Sequence, residues 1–244
     1  MVDFAALLNR PRPPTPTLPP TIIVVTGHRP HKLHSVMPTA SDWDGVADGY
    51  DWSNPLRQRL RVEMTNATTE LVRRLANRTP RDYHEASVLD TYLSSAKWSA
   101  ADWRSFPVLG VTGAALGVDQ DCAGVWRRMG VPYLAAVPFP GQDLRWTAES
   151  RRIYAEVLRC AAGIVEVSSV PPADDADAGK MLKARNDWMS MVGDGLIAVF
   201  DGSGGGTASM VRRWGDWRGS TMVRIDPRDV REDLRREAEQ KQRG

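Results

Sequence analysis

The stretch Thr21-Ile22-Ile23-Val24-Val25-Thr26-Gly27-His28-Arg29-Pro30 decides the fold of this chain. Its first half is β-branched throughout, which is typical of a strand buried on both faces of a parallel sheet. The glycine and polar residues that follow indicate a loop at the carboxyl end of that strand. Six prolines lie within residues 11–20, where they exclude helix and central strand. We therefore expect an extended or disordered Pro-rich segment over residues 1–20 and a domain that begins at residue 21.

Five further short apolar runs follow the first strand, and helical patterns separate them. The clearest helix covers residues 55–77, where apolar residues recur at intervals of three and four and form one face. Strands that alternate with helices predict α/β: a Rossmann-like, doubly wound, mainly parallel sheet with helices on both faces. The further strands are predicted at residues 108–111, 133–137, 163–167, 195–200 and 221–225, and the other helices at residues 119–129, 147–161, 181–192, 207–214 and from 227 onward.

Two stretches, residues 35–54 and residues 79–106, fit no strand position in this alternating pattern. We interpret both as insertions after the first strand. The first is predicted as a polar loop, and the second as partly helical over residues 84–96. With these insertions, residues 21–226 form a single Rossmann-like domain.

The composition is that of an ordinary globular protein, with 42% hydrophobic and 25% charged residues among 244. The 32 Lys and Arg against 30 Asp and Glu give a formal net charge of +2, which excludes a histone-like or polyanion-sponge protein. Near the end of the chain, Asp226 and Pro227 are typical of an N-cap followed by proline at the first helical position. Residues 227–244 are therefore predicted to form a charged, solvated C-terminal helix.

The sequence argues against a membrane span, a disulfide framework and a metal site. No apolar run approaches the roughly 20 residues that cross a membrane, and no secretory signal pattern is present, so we expect a cytoplasmic protein without a membrane partner. Cys122 and Cys160 are the only cysteines, too few for a disulfide framework, and are expected as buried, unpaired thiols in helices. His28, His31 and His34 lie three residues apart, but a proline interrupts them, so no metal site is expected.

The loops after three predicted strands carry residues typical of anion binding. In an open parallel sheet, ligands bind beyond the carboxyl ends of the strands, where helix N-termini and loop amides meet. Arg29 supplies a fork of donors suited to phosphate, and residues 201–207 lead almost without side chains into a helix. One such turn alone could be a plain loop, and the pattern is neither a Walker A loop nor a G-x-G-x-x-G fingerprint. Together these loops predict a phosphate site from Thr26, Gly27, His28, Arg29, Gly113, Gly117, Asp119, Asp201, Gly204, Gly205, Gly206 and Thr207.

Five motifs occur in a characteristic order: Val25 to Pro30, Val111 to Gln120, Ala135 to Phe139 with Gln142 and Trp146, Arg185 to Met189, and Leu196 to Asp201 with Gly205-Gly206-Thr207. In combination they resemble the YpsA-like branch of the SMF/DprA–LOG (SLOG) superfamily over about residues 21–226. The resemblance implies a Rossmann-like fold that binds or senses a nucleotide or nucleotide-derived ligand, such as ADP-ribose, NAD or a nucleoside phosphate. It also implies that Arg185 and Asn186 contribute to the site. An adenine or nicotinamide ring of that ligand is expected on Phe139 or Trp146.

Two alternatives to a binding module stay open. The LOG branch cleaves the base from nucleoside monophosphates with a Glu just after its Pro-Gly-Gly-x-Gly-Thr signature, and that Glu is missing after Thr207. Asp119 and Asp201 are the weak candidates for catalysis in such a hydrolase or transferase, because an oxocarbenium-like transition state needs a nearby carboxylate. The DprA branch binds single-stranded DNA, and nine tryptophans could stack bases, although packing against the sheet is the favoured explanation for them.

The expected partners follow from these alternatives. A small-molecule nucleotide, NAD and ADP-ribose included, is the main one, while no resident cofactor is assigned. Self-association into a homo-oligomer and contact with an effector protein are further expectations. Nucleic acid is less favoured, because the net charge is small.

Overall fold

The computed structural model describes residues 20–29, 33, 54–76, 83–99, 103–218 and 221–243. Nearly all of the predicted Pro-rich segment and first insertion, together with His31 and His34, therefore lie outside the described residues. The strands of the described part are β1 (Thr21–Gly27), β2 (Lys97–Trp98), β3 (Val108–Thr112), β4 (Tyr133–Val137), β5 (Gly163–Glu166), β6 (Gly195–Val199) and β7 (Met222–Ile225). The α-helices are α1 (Pro55–Leu75), α2 (Tyr83–Ser94), α3 (Val118–Met129), α4 (Ala148–Cys160), α5 (Asp175–Val192), α6 (Gly206–Arg218) and α7 (Pro227–Arg243).

The strands form one sheet in the order β2-β5-β4-β3-β1-β6-β7. The central strand β1 pairs in parallel with β3 on one side and with β6 on the other, and β2 alone is antiparallel to its neighbour. From β1 the chain first builds the sheet outward through β3, β4 and β5, and then returns to place β6 against the opposite edge of β1. This reversal of strand order beside β1 is where an α/β sheet opens a crevice at the carboxyl ends of its strands.

Helices cover both faces of the sheet, as the uninterrupted apolar strands require. Ile23 and Val25 belong to a core shared with α1, α3, α4 and α7, whereas Ile22 and Val24 belong to a core shared with α2, α5 and α6. The alternation within β1 follows from the two-residue period of a strand. The predicted doubly wound, mainly parallel α/β architecture is therefore confirmed.

The helix starts show how local sequence sets the elements. Asn54 caps α1, since its side-chain oxygen accepts a hydrogen bond from the Arg57 amide at 3.1 Å. Asp226 precedes Pro227 at the start of α7 and accepts from the Arg228 amide at 3.0 Å, as its sequence predicts. The prediction placed the start of α5 at residue 181, which is wrong by six residues, because Asp174 caps a first turn without apolar periodicity.

The second insertion differs from its prediction in one respect. It contains the expected helix α2, but it also contributes β2, a two-residue edge strand that pairs with β5. Trp98 of β2 packs so closely on Gly163 that a Cβ there would lie 2.7 Å from the indole. The statement that residues 79–106 fit no strand position is therefore wrong at the edge of the sheet.

Most of the described tryptophans serve packing. Trp103, Trp188 and Trp214 are buried in the core, as the packing explanation predicts. Cys122 is buried in α3, but Cys160, predicted as buried, is only half-buried at the end of α4. Within the described residues, no helix combines the length and the apolar character needed to cross a membrane.

A buried ionic cluster joins α1 to the first turn of α3. The Arg57 guanidinium donates two hydrogen bonds of 2.8 Å to the Asp121 carboxylate, and Arg61 donates to the same carboxylate at 2.7 Å. The Arg57 and Asp121 side chains are only 1% and 6% exposed, so both charges have lost their hydration. The hydrogen bonds between them must offset that cost, which requires good geometry. The cluster fixes the position of the loop between β3 and α3, which forms one wall of the site described below.

Candidate functional site

A cavity of about 300 Å³ lies at the carboxyl edge of the sheet, beside β1 and β6. Four segments form its walls: the end of β1, the β3–α3 loop, the inner face of α5 and the Gly-rich loop that opens α6. Ligand sites of doubly wound folds lie at this position, because successive loops diverge there. Its lining residues are Thr26, Gly27, His28, Arg29, Ala115, Asp119, Leu182, Arg185, Asn186, Gly204, Gly205, Gly206 and Thr207.

A buried arginine and a buried aspartate form the base of the cavity. Arg185 and Asp119 are 6% and 5% exposed, and Nη1 of the arginine lies 3.7 Å from Oδ2 of the aspartate. At that distance the two groups attract each other without a hydrogen bond. Neither Nε nor Nη1 of Arg185 has a hydrogen-bond partner among the described residues, although both atoms are buried. The site therefore holds a positive charge with two unsatisfied donors.

The pKa values of this pair reflect its burial. Burial raises the pKa of Asp119 to about 6, although Arg185, Arg29 and the Ala115 and Gly113 amides act in the opposite direction. Burial likewise lowers the pKa of Arg185, against the attraction of Asp119. Because the normal pKa of a guanidinium is so high, Arg185 stays charged at neutral pH. Asp119 is thus half-protonated only near pH 6, far above the usual value for a carboxyl, while its neighbour is a fixed cation.

Gly113 makes room for the arginine. A Cβ at this position would lie 1.4 Å from Nη1 of Arg185, so only glycine permits the observed approach. Gly27 has a similar role at the end of β1, where a Cβ would lie 2.4 Å from Val118. Gly117 adopts φ 89° and ψ −120°, which favours glycine, and precedes the first residue of α3. The absence of a side chain at these glycines therefore sets the shape of the cavity walls.

His28 and Asp201 lie on the β6 side of the cavity. His28 Nε2 lies 2.6 Å from Asp201 Oδ1, and the histidine is 2% exposed. The Ser203 amide donates to the same carboxylate oxygen at 2.8 Å. Burial tends to raise the pKa of Asp201, but hydrogen bonds from Ser203 and His28 outweigh it and lower the value to about 2. Asp201 is therefore an ionised carboxylate that orients His28 and the start of the Gly-rich loop.

The Gly-rich loop delivers the N-terminus of α6 to the cavity. Gly202 and Gly205 have φ values of 94° and 131°, which other residues rarely adopt. Thr207, in the first turn of α6, donates from Oγ1 to the carbonyl of Gly27 at 3.0 Å and joins the loop to β1. The first amides of a helix lack partners within that helix and carry a partial positive charge. The loop thus adds positive potential next to Arg185.

The structure brings most of the predicted site residues together at the cavity, but some of them do not line it. Eleven of the fifteen line the cavity. Gly113, Gly117 and Asp201 support its walls, and Phe139 is buried beyond β4 without lining it. Trp146 does not line it either, but packs edge-on against Tyr154. The sequence predicted that a base stacks on Phe139 or Trp146, but neither ring lies at the cavity.

Two lining residues were missed by the sequence reasoning. Ala115 lies between the motif glycines, and its amide faces Asp119 Oδ2 at 3.4 Å. Leu182 precedes Arg185 by three residues and shares its face of α5, a signal that helical spacing could have given. No cluster of three or more His, Cys, Asp or Glu suited to a metal ion occurs within the described residues.

The fold and cavity define an α/β protein with a basic, glycine-walled pocket at the switch in strand order. No known family model matches the chain. It is 33% identical over 112 residues to the uncharacterized SPbeta prophage-derived protein YoqJ of Bacillus subtilis (strain 168), a match that covers 40% of this chain and 63% of that protein. Among solved structures, DNA processing protein A (DprA) of Streptococcus pneumoniae aligns with a TM-score of 0.47 and 12% identity, over 91% of this chain and 58% of that one.

The chain thus spans less than two thirds of the length of both proteins. The relative from Bacillus subtilis brings no assigned activity. The structural likeness to DprA is too weak to transfer a role. The resemblance to the SLOG superfamily and its YpsA-like branch accordingly stays a prediction, and function rests on the site itself.

Proposed function

We propose that this protein binds a phosphorylated small molecule, a nucleotide or nucleotide-derived ligand, in the cavity between β1, α5 and α6. The observation that carries the proposal is the buried guanidinium of Arg185, whose Nε and Nη1 have no partner among the described residues. A buried donor without a partner costs about 1–3 kcal/mol, and more when it is charged. A ligand oxygen that accepts from these atoms removes that cost.

Phosphate is the group that fits best. Its oxygens match the fork of donors of an arginine, and they are favoured at a helix N-terminus such as that of α6. Arg29, exposed at the mouth of the cavity, adds a second positive charge. Asp119 offers a carboxylate that can accept a hydrogen bond from a sugar hydroxyl. The volume of about 300 Å³ is at the low end for small-molecule sites, which favours a single nucleoside phosphate unit inside the cavity.

The proposal is tested by thermal shift and calorimetry with AMP, ADP, ADP-ribose, NAD, inorganic phosphate, adenosine and a short single-stranded oligonucleotide. Ligands that bind only the folded state raise its stability by RT ln(1 + [L]/Kd), so a site with micromolar affinity shows clearly at about 1 mM ligand. Arg185→Met keeps the length of the side chain but removes its charge and donors. We expect it to weaken binding of phosphorylated ligands by tenfold or more, roughly the value of a charged hydrogen bond.

Arg212→Met, at an exposed position of α6, is the matched control and should bind like the wild type. Equal binding of adenosine and AMP would contradict the proposal, as would unchanged binding by Arg185→Met. A response to the oligonucleotide alone, with a steep loss of affinity in salt, would replace it with single-stranded nucleic-acid binding.

A second candidate function is cleavage or transfer at the N-glycosidic bond of the bound nucleotide. Asp119 favours it, because a buried carboxyl with a pKa of about 6 can exchange a proton near neutral pH. Release of free base from a nucleoside monophosphate, measured by chromatography, tests this function. Asp119→Asn should abolish release while it preserves binding. Intact ligand after prolonged incubation with the wild type would leave binding as the function.

A further inference from the structure

A second concavity lies on the outer surface of the helix layer, between α3 and α4. This α3–α4 groove has a volume of about 580 Å³ and shares no lining residue with the cavity at the sheet edge. Its apolar part consists of Ala123, Ile153 and Val157, all of them buried, with Tyr133 alongside. The groove is therefore a separate feature with an apolar floor and a size typical of small-molecule sites.

The groove is open because α3 carries a glycine on this face. Gly124 lies in the middle of the helix, where glycine is unfavourable by about 1 kcal/mol relative to alanine. A Cβ at Gly124 would meet only Nη1 of Arg128, at 3.9 Å. A Cβ therefore fits at this position, and the atoms of a larger side chain beyond it would project into the groove. Neither a turn nor a close approach of neighbouring atoms accounts for glycine here.

The rim of the groove is positively charged. Arg128 and Arg152 line it and are exposed, and neither forms a hydrogen bond or ion pair within the described ranges. Glu156, an acidic residue on the same rim, is engaged by Arg127 at 2.8 Å and by Arg159 at 2.7 Å. The two arginines are therefore available to a negatively charged group that approaches the apolar floor.

A buried acceptor lies toward the other end of the groove. Gln120 is 2% exposed, and its Nε2 donates to the carbonyl of Ala114 at 3.2 Å, which fixes the orientation of the amide. Its Oε1 is buried and has no partner among the described residues. Gln120, Gly124 and Arg128 lie at successive turns of α3, and Nη1 of Arg128 reaches back to 3.9 Å from the position of a Cβ at Gly124, which is about one turn, or roughly 6 Å, along the helix from Gln120.

From these observations we infer that the α3–α4 groove binds an amphiphilic organic acid. Its apolar body lies on Ala123, Ile153 and Val157, its carboxylate pairs with Arg128 and Arg152, and a hydrogen-bond donor reaches Oε1 of Gln120. A flat aromatic acid with an N–H at one end and a carboxylate at the other has the required length and chemistry.

Isothermal titration calorimetry with indole-3-butyrate tests the inference. Naphthalene-1-butyrate has a similar body without the N–H, and tryptamine has the indole with a positive charge. We expect indole-3-butyrate to bind with Kd below about 1 mM, naphthalene-1-butyrate several-fold more weakly, and tryptamine not measurably. Arg152→Ala should weaken indole-3-butyrate by about tenfold, because it removes one of the two available charges.

Gly124→Leu should abolish binding without loss of folding, since leucine fills the groove and suits a helix better than glycine. Gly215→Leu is the matched control, because it likewise replaces an uncrowded helical glycine with leucine, but at an exposed position of α6 that has no atom within 4 Å of its Cβ. Absence of indole-3-butyrate binding, equal binding by tryptamine, or unchanged binding by Gly124→Leu would each overturn the inference. A concentration-dependent dimer in size-exclusion chromatography that Gly124→Leu abolishes would instead assign the groove to a second copy of the chain.

Discussion

Replacing Asp119 with asparagine should make the protein more stable near neutral pH, and the gain should depend on pH. Burial raises the pKa of Asp119 from 3.8 to about 6, despite the nearby Arg185. Because the folded-state pKa is the higher of the two, the folded protein holds an extra proton between these values. Stability therefore falls as the pH rises through this window and stays low above it. Asparagine keeps the size of the side chain and does not ionise, so the variant escapes this loss.

The size of the effect follows from the two pKa values. A rise from 3.8 to about 6 corresponds to about 3 kcal/mol, of which about 2 kcal/mol develops between roughly pH 4.5 and pH 7. Urea unfolding of both proteins at these two pH values measures it. Relative to the wild type, Asp119→Asn should gain about 2 kcal/mol in free energy of unfolding on going to the higher pH.

Asp216→Asn, at an exposed position of α6, serves as the control and should show no comparable change between the two pH values. A stability difference between Asp119→Asn and the wild type that is independent of pH would refute the reasoning, because it would mean that Asp119 ionises normally. A difference that shrinks toward neutral pH would mean that the ionised carboxylate is stabilised by Arg185, as in an ordinary ion pair.

Two further substitutions test the packing around the cavity. Gly113→Ala places a Cβ where Nη1 of Arg185 lies, so the guanidinium must move; we expect about 1–3 kcal/mol of destabilisation in urea and at least tenfold weaker phosphate-ligand binding by calorimetry. Wild-type affinity in this variant would show that Arg185 does not hold the ligand. Arg57→Met leaves the buried Asp121 with Arg61 as its remaining guanidinium partner, and should lower the free energy of unfolding by about 3–5 kcal/mol in the same urea assay. A loss below about 1 kcal/mol would mean that the ionic cluster is not structural.

The fold was largely predictable, because its signals are local and repeated. The uninterrupted β-branched run of β1 and the three-and-four spacing of α1 each reflect burial against a neighbouring layer, and such patterns persist whatever the details of packing. The strand β2 could not be predicted in this way. It consists of two residues, and Trp98 stabilises it by packing on Gly163. The two residues of this contact are 65 positions apart in sequence.

The candidate site was predictable in its location but not in its chemistry. The carboxyl ends of parallel strands lie at one edge of a sheet, so Arg29 and the Gly-rich loop could be placed at that edge from the alternation of strands and helices alone. Sequence alone could not predict the burial of Arg185 or its distance from Asp119, since both depend on how α5 lies against the β3–α3 loop. Sequence reasoning likewise assigned Phe139 to the ligand, because it identified the strand end correctly but had no means to orient the side chain.

The geometry of Arg185 and Asp119 also indicates what kind of ligand the cavity discriminates. A closer ion pair would satisfy both groups and leave little reason to bind an anion. At 3.7 Å the carboxylate lowers the cost of burying the guanidinium without occupying its donors, so Nε and Nη1 stay available. When an anion binds, its charge opposes ionisation of Asp119 and should raise that pKa further, so that binding takes up a proton above about pH 6. A neutral ligand such as a nucleoside gains from neither effect. The phosphate group should therefore contribute more to affinity in this cavity than the identity of the base.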